Sequence, residues 1–92
     1  MLIASPSTIV GGNTESLAGS NFTPNKQVTL RYYAGANLAN TWTTTVSCSG
    51  GFSTSVATSG VLLGTRNDRV VACDAGSPVR CATAYFTARG LV

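Results

Sequence analysis

Few side chains in this 92-residue chain could do chemistry. They are Cys48, Cys73 and Cys81, the carboxylates Glu15, Asp68 and Asp74, one lysine and five arginines, with no histidine. Without an imidazole, a serine or threonine nucleophile lacks its usual general base. Asp68 and Asp74 have strand-like sequence between them, which suits neither the carboxylate pair of a glycoside hydrolase nor the ligand ladder of a calcium loop. Three cysteines with no histidine do not make a zinc site. The pairs Gly11-Gly12 and Gly50-Gly51 sit in turns with no helix to follow, so no phosphate cradle forms. No catalytic residue, metal ligand or cofactor is assigned, and the expectation is a protein that is not an enzyme.

Charge narrows the classes further. The net charge of +3 sets Lys26, Arg31, Arg66, Arg69, Arg80 and Arg89 against the three carboxylates, and the cations never form a run. Nucleic-acid and anionic-membrane binders carry clustered basic patches, so scattered cations point to solubility and to no nucleic-acid partner. No segment approaches the roughly 18 consecutive apolar residues of a helical span, and no membrane insertion is expected. Only 10% of the residues are charged, while ten serines and thirteen threonines fill much of the polar remainder. Such a surface suits extracellular, cell-surface and virion-surface β modules. Met1–Ile3 offers no basic and apolar leader, which leaves open a leader upstream of this segment or a virion component that needs none.

The elements that must position these residues are strands. Short period-2 segments recur between Gly, Pro, Asn and Ser clusters, the pattern of a sandwich or barrel. Seven strands are expected in one domain, residues 1–92. Leu2–Val10 is an edge strand interrupted by Pro6, whose missing N–H is tolerated only at an edge, and Thr14–Ser20 follows with Leu17 inward. Gln27–Tyr33 alternates most clearly, with Val28, Leu30 and Tyr32 on one face. Ala34–Asn40 reads as a loop. Thr41–Cys48 places Trp42, Thr44, Val46 and Cys48 together, and Ser49-Gly50-Gly51 makes a hairpin into Phe52–Thr58. Val61–Leu63 is a short apolar crossing. Arg66-Asn67-Asp68 leads into Arg69–Cys73, and Arg80–Thr87 closes the sheet with Ala82, Ala84 and Phe86 inward.

That parity puts Cys73 and Cys81 on the same outer face of adjacent strands. Cysteines directly opposite in an antiparallel pair lie near disulfide range. A Cys73–Cys81 bridge is the expectation, with two free thiols in a reducing compartment as the alternative. Cys48, on the face of Val46, is expected to be a buried, inert thiol. The same parity collects Thr29, Arg31, Tyr33, Arg69, Val71, Thr83 and Tyr85 on one outer face. Arginine and tyrosine combine apolar area with hydrogen bonding and are enriched at binding surfaces. Arg31, Tyr33, Arg69, Val71 and Tyr85 are the candidate binding residues, against the plainer reading of ordinary cross-strand pairing on a solvated face.

Phe22-Thr23-Pro24-Asn25 followed by Val28-Thr29-Leu30 resembles a signature of bacterial immunoglobulin-like domains. Ser49-Gly50-Gly51-Phe52-Ser53 and the closing segments Val70-Val71-Ala72-Cys73 and Ala84-Tyr85-Phe86 are similar to that family's later landmarks. The outline is also similar to the neocarzinostatin-like apoproteins, which carry a bridge where Cys73 and Cys81 fall. That family carries a second bridge as well, for which Cys48 has no partner in this chain. The resemblance implies a seven-stranded immunoglobulin-like Greek-key sandwich. It does not fix a ligand, and the expected function is that of a non-catalytic structural or interaction module of a secreted, cell-surface or virion-surface protein, acting through adhesion, spacing or protein or glycan contact. Its partners would be a protein or glycan surface, or neighbouring domains and subunits of an assembly. A capsid or tail decoration protein and a small-ligand carrier are the alternatives.

Overall fold

The computed structural model describes residues 1–61 and 63–90. Leu62, within the expected crossing Val61–Leu63, lies outside the described residues. The strands are β1 (Leu2–Ser5), β2 (Thr8–Val10), β3 (Thr14–Gly19), β4 (Gln27–Ala34), β5 (Asn37–Thr45), β6 (Phe52–Ala57), β7 (Thr65–Asp74) and β8 (Cys81–Arg89). A three-stranded sheet in the order β1-β3-β6 is accompanied by a five-stranded sheet in the order β2-β8-β7-β4-β5. Among the described residues the fold is all-β, with eight strands where seven were expected.

The extra strand comes from Pro6. Leu2–Val10 does not run as one edge strand but divides. β1 pairs antiparallel with β3, and β2 pairs parallel with β8 in the other sheet. Proline has no N–H for either ladder, so the chain changes sheets there, and the Ser7 carbonyl accepts from the Thr87 N–H at 2.8 Å.

Three further expectations are corrected. Residues 37–40 are strand rather than loop: Ala34 pairs with Asn37 across a two-residue turn. Gly35 there has φ 65°, at the position where a type II′ hairpin takes glycine. Pairing to β4 outweighs the weak strand propensity of Asn and Ala. Ser49-Gly50-Gly51 is not a hairpin, because β5 and β6 belong to different sheets. The turn carries the chain between them, with Gly50 at φ 88° and a side chain there blocked by the Phe22 carbonyl. Cys48 is exposed rather than buried: β5 ends at Thr45, so the alternation that would have turned the thiol inward stops at Val46, the last inward residue.

Elsewhere parity decides burial as expected. Leu17, Val28, Leu30, Tyr32, Val46, Val56, Val70, Ala72, Ala84 and Phe86 join one core with Leu2, Ile9 and Phe22. Phe22 packs on Phe52 with centroids 5.2 Å apart, and Tyr32 stacks on Phe86 at 6.1 Å. Trp42 packs at the core margin and donates from Nε1 to Thr54 Oγ1 at 3.1 Å, linking β5 to β6.

Cys73 and Cys81 are register partners on β7 and β8 and form a disulfide. Closing a loop this short stabilises by about 2.5 kcal/mol through the unfolded chain. Iodoacetamide on the native protein is therefore expected to label one thiol, Cys48, and three after reduction in denaturant. Two or three adducts on the native chain would contradict the bridge.

Candidate functional site

On the outer face of the five-stranded sheet the five candidate residues fall into two adjoining rows. In one, Arg31 on β4 faces Val71 on β7, which faces Thr83 on β8. In the next, Tyr33 faces Arg69, which faces Tyr85. Strict alternation along three strands produces the rows: the intervening Leu30, Tyr32, Val70, Ala72, Ala84 and Phe86 all point into the core.

The structure sharpens what the face offers. β7 lies between β4 and β8, so Tyr33 and Tyr85 are separated by Arg69 rather than clustered. The Arg69 guanidinium sits 4.2 Å from the Tyr33 ring centroid, a cation–π contact worth about 0.5–1 kcal/mol at such a site. That contact covers the Tyr33 ring, whereas Tyr85 remains 73% exposed. Beside Tyr85 lies an open groove of about 370 Å³ lined by Ser7, Asn67, Asp68, Tyr85, Phe86 and Thr87. By the parity of β7 and β8, Asn67 and Thr87 face outward here, and Asp68 and Phe86 form the floor.

The carboxylates are placed where the sequence reading did not put them: all three are buried. Asp68 accepts from Tyr32 Oη at 2.6 Å, the Gly35 N–H at 3.1 Å, and Arg66 Nε and Nη2 at 2.6 and 2.8 Å. Arg66 also donates to the Gly60 and Ser59 carbonyls. The network thereby ties the segment before β7 to the β4–β5 hairpin. Burial pushes the Asp68 carboxyl up, but the hydrogen bonds from Arg66, Tyr32 and Gly35 outweigh it and hold the group below its ordinary value.

Asp74 accepts from the backbone N–H groups of Thr23, Gly76 and Arg80 at 2.8, 3.0 and 3.0 Å. It pins the Phe22-Thr23-Pro24-Asn25 turn to the β7–β8 loop. Burial raises its pKa, and the bonds from Arg80, Thr23 and Gly76 more than reverse this, leaving the carboxyl well below the usual range. Glu15 differs. Its side chain is fully buried, neither oxygen has a hydrogen-bond partner among the described residues, and burial pushes it up to about 7.

The missing signal was parity carried far enough. Val70 and Ala72 inward on β7 imply Asp68 and Arg66 inward as well, once the strand is extended back to Thr65. Leu17 inward on β3 implies Glu15 inward. As for chemistry, both oxygens of Asp68 and both of Asp74 are occupied by the fold's own donors, so these groups act as struts. The outer face is where unoccupied polar and aromatic groups are presented.

Compared with protein-family models, curated proteins and solved structures, the chain matches none of them. The Cys73–Cys81 bridge is consistent with an oxidising location.

Proposed function

We propose that this chain is a non-catalytic, immunoglobulin-like interaction module of a secreted, cell-surface or virion-surface protein, binding through the outer face of its five-stranded sheet. Strand order supports the immunoglobulin-like part. β3 stands between β1 and β6, and β7 stands between β4 and β8, as strands B and F stand between their neighbours in that sandwich. The observation that carries the binding part is the ladder Tyr33–Arg69–Tyr85 with Arg31 and Val71 beside it. Its terminal ring is 73% exposed next to an open groove. Tyrosine and arginine are among the side chains enriched at recognition surfaces. The groove is open and mixes the polar side chains of Ser7, Asn67 and Thr87 with the Tyr85 and Phe86 rings, a surface that suits a partner offering both polar and apolar groups.

The test is an array of immobilised glycans and proteins probed with the wild type, with Arg31→Ser/Tyr85→Ser, and with Ser16→Arg/Ser55→Arg. The last pair lies on the outer face of the three-stranded sheet, where Ser16 and Ser55 are register partners. Binding is expected to drop about tenfold or more with the first pair, as for loss of hot-spot contacts, and to survive the second. Binding lost only with the second pair, or no binding to any array member, would overturn the reading.

A further inference from the structure

Folding sorts the charges of this protein. The three carboxylates are its complete set of acidic side chains, and every one is buried. Arg66 is consumed by its ion pair with Asp68. The remaining cations, Lys26, Arg31, Arg69, Arg80 and Arg89, are exposed or half-exposed, and none forms an ion pair among the described residues. A net charge of +3 therefore presents itself to a partner as a surface with cationic side chains and no anionic ones.

Three of these cations share one face. Arg31, Arg69 and Arg89 all take the outward parity of the five-stranded sheet, since Leu30, Val70 and Ala88 beside them are fully buried. The register sets them on a diagonal. Arg31 lies one row and one strand from Arg69. Arg89 lies four residues along β8 from Tyr85, the partner of Arg69. With strands about 4.8 Å apart and about 3.4 Å per residue, the steps are roughly 8 and 14 Å, and the diagonal spans roughly 22 Å. The groove lined by Ser7, Asn67, Tyr85 and Thr87 falls in the longer gap.

Resting on the reading that this face is the binding surface, we infer that its partner is an acidic polysaccharide. The chain would lie along the Arg31–Arg69–Arg89 diagonal with one sugar against Tyr85. Guanidinium groups hold carboxylate or sulfate in two-pronged hydrogen bonds. Asn67, Thr87 and Ser7 supply donors and acceptors for sugar hydroxyls, and the open Tyr85 ring supplies a flat apolar surface for the C–H face of a pyranose. A single-stranded nucleic acid wants successive open aromatic platforms along its groove. Here the second ring, Tyr33, is already covered by Arg69. Charge complementarity without counter-anions, one platform and a groove that mixes aromatic with polar side chains fit a sugar polymer with anionic groups at intervals.

The experiment is biolayer interferometry on the full chain at several salt concentrations. The probes are polygalacturonate (carboxylate), dextran sulfate (sulfate), neutral dextran and oligo-dT. Binding to one or both acidic polysaccharides is expected, weakening as salt rises, with none to dextran. Arg31→Ser and Arg89→Ser should each weaken it about tenfold, the loss of one charge-assisted contact. Tyr85→Ser should weaken it at every salt concentration, and Lys26→Ser should leave it unchanged. Melting temperatures of these exposed-site variants control for folding. Equal or tighter binding of oligo-dT overturns the polysaccharide assignment, and equal binding of dextran overturns the charge argument, while both leave the face intact. Acidic-polymer binding that ignores Arg31, Arg89 and Tyr85 but falls with Lys26→Ser places the site elsewhere and overturns the face as well. No binding to any probe overturns this inference alone, because the array test of the face can still succeed with another partner.

Discussion

Asp68→Ala is expected to lower the unfolding free energy by about 3–5 kcal/mol, the range for removing one partner of a buried ion pair. The carboxylate accepts four hydrogen bonds from three residues, Tyr32, Gly35 and Arg66. Its loss leaves the buried Tyr32 O–H without its acceptor, although the hydroxyl still accepts from the Ser59 N–H, and releases an arginine that bridges to Ser59 and Gly60. Tyr32→Phe removes one hydroxyl from the same network and should cost less, about 1–2 kcal/mol. Urea unfolding of the three proteins at pH 6, compared by midpoint at constant slope, checks both values. A loss for Asp68→Ala no larger than the ~1 kcal/mol of exposed ion pairs would contradict the strut assignment.

Glu15→Leu is expected to do the opposite and stabilise the protein at pH 8. The wild-type carboxyl is buried without a partner, and its pKa rises from 4.5 to about 7. A carboxyl raised on folding binds its proton more tightly in the folded chain than in the unfolded one. Its contribution is therefore complete below pH 4.5 and lost as the pH climbs through about 7. The full loss is roughly 3 kcal/mol, the free-energy equivalent of that displacement. Asp68 and Asp74 work in the other direction: both are lowered on folding, so their stabilisation is present above 3.8 and disappears as the pH falls below it. Stability should therefore peak near pH 4–5, where the two aspartates are ionised and Glu15 is neutral. In Glu15→Leu the neutral limb should be flat and the acid limb unchanged. Urea midpoints from pH 3 to 9 read this directly, and a wild type equally stable at pH 5 and pH 8 would show that Glu15 is solvated or paired.

Both effects arise from residues whose identity was visible in the chain and whose surroundings in the core were not. Alternation made the central strands legible: Val28, Leu30 and Tyr32 inward with Arg31 and Tyr33 outward follow from a period of two and nothing else. It also placed Cys73 opposite Cys81 and collected Arg31, Tyr33, Arg69, Val71 and Tyr85 on one face. It stopped short at Arg66-Asn67-Asp68, because three polar residues in a row read as a turn when judged by composition. In the fold they are strand, paired with Phe86, Thr87 and Ala88 on β8, and Tyr32, Arg66 and the Gly35 N–H converge on Asp68 from elements far apart in sequence. Convergence of that kind has no local signal.

The same division holds for the connections and for the face. Gly50-Gly51 announces a turn, but a turn within a sheet and a turn between sheets use the same residues. In the fold the chain passes to the other sheet, where Phe52 packs on Phe22. Pro6 announces a break in a ladder, but not that the two halves join opposite sheets. The all-β class, the parity of each strand and the disulfide partners were determined by sequence, because they depend on neighbours two residues apart or on one adjacent strand. The strand order, the exposure of Cys48, the covering of Tyr33 by Arg69 and the donors that meet Asp68 and Asp74 were decided by tertiary structure. They depend on which distant groups meet in a closed core, where an uncompensated charge is costly and a satisfied one is held in place.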